Sequence, residues 1–396
     1  MHYRDKPIFI IKKNMQKSAN TGIYFDSLIT NEVLTNCCSQ ILGISDFDTK
    51  FVDNSYSDNF LDATYNQGRL AILHYHNSVY YISFSDEKCE GRNSGIQSVP
   101  TAFNRFYSNP HPNKKLYFYF LPCSGNNATS YYQFMYRLMK TSGFTFLNIP
   151  QTIGEINPFN SIDDIIRARK ENGERNSGNN ATYLVKADSH EYEIFGKTYG
   201  ANKYDTSLIC YAISKIAKQD DKITLYEYNE KDLKELPEAS LNVLRSMGNI
   251  SIVNIDDEIE RRELEENDSL RSPRFNARLL DRLGEKHCVL CNCGISELIQ
   301  GAHIWPVADI KKSSLTLEDK LAFATDGENG LWMCQNHHKM FDSNILYLSE
   351  NGEVSYRPNL SDTDKSYANS ITTKMILDQQ LLTPKYREYI QKRYHA

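Results

Sequence analysis

The sequence lacks any long apolar run. An apolar stretch near its start, Ile8–Ile11, is only four residues long, which is too short for a secretory signal peptide. No segment approaches the roughly 20 apolar residues of a membrane-spanning helix, and no helicase or nucleotide-hydrolase signature is present. These absences argue against a motor-driven enzyme and predict a cytoplasmic protein with no membrane partner.

The sequence also lacks a disulfide framework. Its cysteines number nine, which is odd. Those outside the C-terminal third show no disulfide spacing: Cys37, Cys38, Cys89, Cys123 and Cys210. Scattered cysteines of this kind are typical of a reducing compartment.

An excess of positive charge is absent as well. The chain carries 45 basic and 50 acidic residues, a formal net charge of −5. A protein that binds nucleic acid must replace phosphate counterions with Lys and Arg, so such a function would require basic patches. The slight excess of acidic over basic residues argues against indiscriminate nucleic-acid binding and favours a shaped, sequence-reading cleft.

What is present suits a globular protein of two or three domains. The chain has 396 residues, of which 40% are hydrophobic and 24% charged. The apolar periodicity of residues 131–142 predicts a helix. Runs rich in Tyr, Phe and Ile predict strands at 70–75, 79–84 and 116–121. We therefore predict an α+β fold, with an N-terminal α+β domain over 1–170 and a second α/β region over 182–256.

Two groups of residues are candidates for contacts with an acidic partner. One lies in a loop of the second region and comprises Lys197, Tyr199, Asn202 and Lys203. The other lies in a charged helical connector predicted over 257–286 and comprises Arg274, Arg278 and Arg282. Residues four apart share one helix face, so these arginines are expected to form a basic ridge. The alternative is that they only keep the helix soluble.

The most specific pattern begins at Cys288. Cys288 and Cys291 have C-x-x-C spacing, and Cys334 and His337 have C-x-x-H spacing. Two such pairs supply four sulfur and nitrogen ligands in the tetrahedral arrangement that suits zinc. With four protein ligands the site is closed, so we predict a structural zinc ion. The alternative is a set of buried cysteines without a metal.

Between and after these pairs lie other candidate residues. Apolar residues around His303 predict a strand that carries this histidine to the edge of a hairpin. Asn329 begins an Asn-Gly turn signal before a second strand or a helix. His338 and Asp342 are four apart on a predicted short helix. Two strands, a loop and a helix therefore place His303, Asn329 and His338 around one small cleft.

These residues resemble the HNH nucleases, whose fold is called ββα-metal. The motifs A-H-I-x-P, N-G-L and C-x-x-H-H-x-x-F-D are similar to those of the zinc-stapled branch. The resemblance implies an HNH domain over 287–360. The pattern of the remaining residues predicts a helical C-terminal tail over 361–396 with a basic end. The resemblance also implies that His303 is the general base, that Asn329 is the middle asparagine of the motif and that His338 holds a catalytic divalent ion. His337 then belongs to the zinc site.

The resemblance leaves one ligand unidentified. Many HNH nucleases carry an acidic residue directly before the first histidine, where this chain has Ala302. A hard cation such as Mg²⁺ or Mn²⁺ prefers oxygen ligands, so we expect another residue to supply one. Asp342 is the first candidate, as a direct ligand or as a partner of His338, and Asp326 is the second. Asn329 is expected to orient the loop or to contribute a metal oxygen.

The resemblance implies a DNA endonuclease that leaves 5′-phosphate and 3′-hydroxyl ends. Lys339, beside His338, joins the candidate DNA-binding residues. A small nuclease module attached to a larger region without motor motifs suits a Type II restriction enzyme, with recognition carried by about the first 270 residues. We expect a homodimer on double-stranded DNA and a cognate methyltransferase as its functional partner. The alternatives are a modification-dependent endonuclease, an anti-phage effector and a non-catalytic zinc DNA-binding module.

Overall fold

The computed structural model describes residues 31–53, 69–86, 95–121, 130–151, 153–173, 182–196, 202–228, 236–255, 260–261, 264 and 272–395. The chain forms two compact units. The first comprises 1–175, 196–225 and 230–252, and the second comprises 176–195, 226–229 and 253–396. Among the residues described, no helix is long and apolar enough to cross a membrane.

The first unit is built on a five-stranded mixed sheet of order β1-β2-β3-β4-β5. Strands β1 to β3 pair antiparallel, and β3, β4 and β5 pair parallel. The strands are β1 (Asp48–Asp53), β2 (Arg69–Tyr75), β3 (Ser78–Asp86), β4 (Lys114–Leu121) and β5 (Thr145–Leu147). The helices within this stretch of chain are α1 (Asn31–Leu42), α2 (Gly95–Ser108), α3 (Ser130–Ser142) and α4 (Ile162–Gly173). The predicted strands and the helix at 131–142 are confirmed.

An aromatic core holds this sheet and its helices together. Phe118 and Phe120 of β4 contact Tyr136 of α3 and Phe146 of β5, with ring centroids 4.9–6.3 Å apart across this group. All four side chains are buried. The abundance of aromatic residues in these strands is therefore accounted for by the core, because buried aromatics contribute large apolar areas.

The described residues between 182 and 255 add four strands and two helices. A four-stranded sheet has the order β6-β7-β8-β9. Its strands are β6 (Tyr183–Asp188), β7 (Glu191–Gly196), β8 (Lys222–Tyr228) and β9 (Ser251–Ile255), and the helices are α5 (Asn202–Ile216) and α6 (Glu238–Met247). The mixed α and β composition agrees with the predicted α+β class.

The C-terminal part contains two short antiparallel hairpins and six helices among its described residues. The strands are β10 (Ile299–His303), β11 (Gly330–Cys334), β12 (Leu346–Leu348) and β13 (Val354–Tyr356). The helices are α7 (Pro273–Leu283), α8 (Val307–Lys312), α9 (Leu317–Thr325), α10 (Gln335–Asp342), α11 (Asp362–Ile371) and α12 (Pro384–His395). Short 3₁₀ turns lie at Ser296–Leu298, Gly327–Asn329 and Gln379–Leu381.

The predicted connector and tail are not separate from the predicted 287–360 domain. Helix α7 begins at Pro273 after the N-cap Ser272, and its apolar side packs against the β10–β11 hairpin. Gly301 and Gly330 allow this approach, because a Cβ atom at either would lie within 3 Å of α7 side chains. Helix α12 also buries apolar side chains within the same unit. The boundaries predicted at 286/287 and 360/361 therefore cut through one packed unit.

Candidate active site and metal centre

Three cysteines and one histidine form a cluster at the base of the β10–β11 hairpin. The ligand atoms of Cys288, Cys291, Cys334 and His337 all lie within 4.8 Å of one another. The Cys288 Sγ–His337 Nδ1 distance is 3.5 Å, Cys334 Sγ–His337 Nδ1 is 3.1 Å and Cys291 Sγ–Cys334 Sγ is 3.9 Å. A tetrahedral zinc site with Zn–S bonds near 2.3 Å places its ligand atoms about 3.5–3.8 Å apart. The cluster therefore has the donors and the spacing that a zinc ion requires.

The surroundings of His337 fix which ring nitrogen faces this cluster. Its Nε2 lies 3.1 Å from the hydroxyl of Thr372, and that hydroxyl donates to the carbonyl of Ala368 at 2.8 Å. Since the hydroxyl proton goes to Ala368, Nε2 must carry the proton that Thr372 accepts. The lone pair of Nδ1 is then available to a cation. Burial lowers the pKa of His337 to about 4, which keeps the ring neutral.

His303 stands at the end of β10, opposite Gly330. Its ring stacks on Phe275 of α7, with centroids 3.9 Å apart and planes inclined by 10°. Its Nε2 lies 2.9 Å from the carbonyl oxygen of Ala324, so Nε2 carries the proton and Nδ1 keeps a lone pair. Burial lowers the pKa of His303 to about 4. The ring is therefore a neutral base at pH 7, held by a stack and one hydrogen bond.

His338 and Asp342 form a pair on α10. His338 Nε2 lies 3.2 Å from Asp342 Oδ2, and His338 Nδ1 lies 2.9 Å from the side-chain oxygen of Gln300. Burial alone would raise the pKa of Asp342, but its hydrogen bond to His338 and the nearby charge of Arg393 hold that pKa below its usual value. Asp342 is therefore an ionised carboxylate. His338 also contacts Gln300 on β10, the strand that ends at His303, so the pair and His303 lie on adjoining elements.

Asn329 is fully buried at the turn before β11. Its Oδ1 accepts from the backbone N–H of Trp305 at 2.7 Å. Its Nδ2 donates to the carbonyls of Trp305 and Phe323, each at 3.1 Å. Of the two roles expected for Asn329, these contacts match loop orientation. The amide ties the segment after His303 to the turn that leads into β11.

Residues 288–349 match the family model of the HNH endonuclease. The chain contains an HNH endonuclease domain. This agrees with the motif resemblance and makes the protein a DNA-cleaving hydrolase. The match covers a minority of the chain and leaves the first unit unassigned. A search of curated proteins gave no match.

The arginines of α7 correct one prediction. They are expected to form a basic ridge for phosphates, but each of them contacts another part of the protein. Arg274 Nε lies 3.0 Å from Glu260 Oε2, and both side chains are buried. Arg278 donates to the carbonyl and the hydroxyl of Thr325 at 3.1 and 3.0 Å. Arg282 pairs with Glu328 at 2.8 Å and also donates to the carbonyl of Gly330. The shared face is real, but it is directed toward protein.

Replacing Arg282 with alanine is therefore expected to destabilise the HNH domain rather than weaken DNA binding. Hydrogen bonds to charged groups contribute about 1.5–3 kcal/mol, so the free energy of unfolding should fall by about that amount. Lys339, exposed on α10, offers the contrasting variant, Lys339→Ala. The Lys339→Ala variant should bind DNA less tightly and with a weaker dependence on salt, while its free energy of unfolding stays unchanged. The measurements are urea denaturation and DNA binding at two salt concentrations. If Arg282→Ala lowered the affinity for DNA but kept the wild-type free energy of unfolding, Arg282 would be a DNA contact, as the predicted basic ridge requires.

The predicted DNA-contacting loop is not tested by these contacts. Lys197 and Tyr199 lie outside the described residues, and Asn202 and Lys203 begin α5 without a described side chain.

Asp326, the second carboxylate candidate, lies 2.8 Å from both Lys385 Nζ and the hydroxyl of Tyr389. It caps the turn before Asn329. Gln300 was not predicted, although an exposed polar residue within strand β10 gave a weak signal for it.

Proposed function

We propose that the protein is a sequence-specific endonuclease for double-stranded DNA, of the Type II restriction kind, that uses one catalytic divalent ion and a histidine base. The observation that supports this most directly is the arrangement of His303 beside the His338–Asp342 pair. A neutral imidazole with a free Nδ1 and a histidine–carboxylate pair are the two parts that a metal-assisted phosphodiester hydrolysis needs.

The His338–Asp342 pair fits a divalent ion. Without an ion, Nε2 of His338 donates to Asp342 Oδ2 at 3.2 Å. When Nδ1 carries the proton instead and donates to Gln300, the Nε2 lone pair is open to a cation that Asp342 can share. Ligands at adjacent positions of an octahedral Mg²⁺ site, with bonds near 2.1 Å, lie roughly 3 Å apart. Nε2 of His338 and a carboxylate oxygen of Asp342 are therefore spaced as two ligands of Mg²⁺ or Mn²⁺. A bound ion would supply positive charge to stabilise the scissile phosphate.

The residues of the chain would then act as follows. Nδ1 of His303 takes a proton from a water molecule, whose oxygen attacks the phosphorus. The bond from phosphorus to the 3′ oxygen breaks, and that oxygen takes a proton from solvent water, which leaves a 5′-phosphate and a 3′-hydroxyl end. The Ala324 carbonyl and Phe275 hold the imidazole in place. Asn329 keeps the loop after His303 fixed.

The Asp342→Asn substitution tests the ion site. Replacing one charged oxygen with an amide should raise the Mg²⁺ concentration that gives half-maximal cleavage by about tenfold or more, because such a cation prefers carboxylate oxygen. Melting temperature and DNA affinity should change little, since about half of the side chain is exposed. The measurement is a metal titration of plasmid nicking. An unshifted titration together with early melting would make Asp342 a structural residue.

Sequence specificity and the assembly on DNA are further parts of the proposal. The net charge of −5 argues against nonspecific binding, and the first unit is large enough to read a site. With one HNH domain matched in each chain, we expect a homodimer to cut both strands, with a cognate methyltransferase protecting the host. The Cys288, Cys291, Cys334 and His337 cluster is proposed to hold structural Zn²⁺.

Digestion of a defined genome with purified protein and Mg²⁺ or Mn²⁺, followed by sequencing of the ends, tests this function. A Type II enzyme gives one repeated sequence at the cut sites of unmethylated DNA. A modification-dependent enzyme cuts only the modified genome, and an effector nuclease cuts only when a small activator is added. A non-catalytic zinc DNA-binding module cuts DNA under none of these conditions. Any of these last three results would replace the proposal.

A further inference from the structure

The C-terminal helix α12 carries a buried stripe that ends on an arginine. Tyr386, Tyr389 and Ile390 are almost fully buried, and Arg393 continues their spacing of three and four residues, which places all four on one face. The hydroxyl of Tyr386 donates to the carbonyl of Ser349 at 2.9 Å. The stripe therefore anchors α12 to the HNH domain and delivers Arg393 to a fixed place.

Arg393 contacts two backbone segments of the candidate active site. Its Nη1 donates to the carbonyl of Ile304 at 3.0 Å, and its Nη2 donates to the carbonyl of Phe341 at 2.5 Å. Ile304 directly follows His303, and Phe341 directly precedes Asp342. One guanidinium thus bridges the backbone beside the candidate base and the backbone beside the candidate ion ligand.

Further contacts hold this bridge in place. The guanidinium carbon lies 3.8 Å from the ring centroid of Phe341, and Nη2 also lies 3.3 Å from the side-chain oxygen of Asn344. The backbone N–H of Ile304 donates to the carbonyl of Asn329 at 2.9 Å, so the peptide groups of Ile304 are held on both sides. The Phe341 carbonyl lies at the C-terminal end of α10, where a cation is favoured by the helix dipole.

We propose that Arg393 is a positioning residue for DNA cleavage, which sets the separation between the His303 imidazole and the His338–Asp342 pair by bridging the Ile304 and Phe341 carbonyls. The inference rests on the proposed function. A planar guanidinium can bond two carbonyls in fixed directions, whereas a lysine ammonium is a point donor on a flexible stem. Misplacement of reacting groups by about 1 Å can cost on the order of 10²-fold in rate.

The experiment compares Arg393→Lys and Arg393→Ala with wild type in plasmid nicking at saturating Mg²⁺. We expect kcat to fall by about 10- to 100-fold, with KM for DNA, zinc content and the folded fraction close to wild type. Added methylguanidinium should restore part of kcat in Arg393→Ala, because it can occupy the vacated site. Arg387→Lys, a conservative change at a partly exposed position on the same helix, is the matched control and should cleave as wild type does.

Each outcome decides the inference. Wild-type kcat in Arg393→Lys, while His303→Ala is inactive, would overturn the role of Arg393 and leave the proposed function standing. A loss of kcat that follows the loss of folded protein or zinc in both variants, without rescue by methylguanidinium, would reduce Arg393 to a stabilising residue and overturn the inference too. A wild-type protein that cuts no DNA with Mg²⁺ or Mn²⁺ would overturn both proposals.

Discussion

Replacing His303 with alanine is expected to lower the rate of DNA cleavage by about two to four orders of magnitude, the usual contribution of a general base. The geometry supports this expectation. Nε2 of His303 is engaged with the Ala324 carbonyl, so Nδ1 is the nitrogen that can take the proton from water. Because burial lowers the pKa of His303 to about 4, the base is already in its active form at pH 7.

The measurement is single-turnover cleavage at saturating DNA and metal, with DNA affinity determined separately. Affinity should stay near wild type, since His303 contacts Phe275 and a backbone carbonyl. Loss of the stacked ring can lower stability, so the melting temperature is recorded for each variant. His287→Ala, which removes an exposed imidazole from the same unit, is the matched control and should remain active. Near-normal turnover in His303→Ala would remove this residue from the mechanism.

The local pattern around the site was predictable because its signals are short-range. The C-x-x-C and C-x-x-H spacings placed four ligands together, and the structure brings Cys288, Cys291, Cys334 and His337 into one cluster. The i, i+4 spacing placed His338 and Asp342 on one helix face, where they are now 3.2 Å apart. Such patterns depend on turns and on helix periodicity, and both can be recognised from the spacing of residues in the sequence.

The residues that a helix face contacts were not predictable in the same way. The spacing of Arg274, Arg278 and Arg282 correctly gave a shared face, but periodicity does not say what that face meets. The deciding features are distant in sequence: Glu260 for Arg274, Thr325 for Arg278 and Glu328 for Arg282.

The same holds for the C-terminal helix. Its spacing of Tyr386, Tyr389, Ile390 and Arg393 is visible in the sequence, but the carbonyls of Ile304 and Phe341 are 89 and 52 residues from Arg393 along the chain. A contact of that kind leaves no local signal. The sequence therefore predicted a helix at this end of the chain, but not the partners of its buried face.

Replacing Cys334 with serine is expected to remove zinc and unfold the HNH domain. Cys334 ends β11, pairs with Ile299 and caps α10, so an ion bound there would join the hairpin, the helix and the Cys288–Cys291 turn. Structural zinc binds with an apparent free energy of about 10–16 kcal/mol in small modules, while a whole domain is stable by about 5–15 kcal/mol. A large part of the stability of this domain should therefore depend on the ion.

The comparison with Cys293→Ser makes this test specific to the cluster. Cys293 lies two residues beyond Cys291 and contributes a backbone carbonyl to Cys288 N at 2.9 Å, but its sulfur is outside the group of four ligands. Cys293→Ser should retain about one zinc per chain and the wild-type melting curve. Cys334→Ser should lose the zinc, melt early and cleave no DNA, and a chelator should produce the same state in the wild-type protein. A folded, active and zinc-free Cys334→Ser variant would mean that the four residues are held together by packing alone.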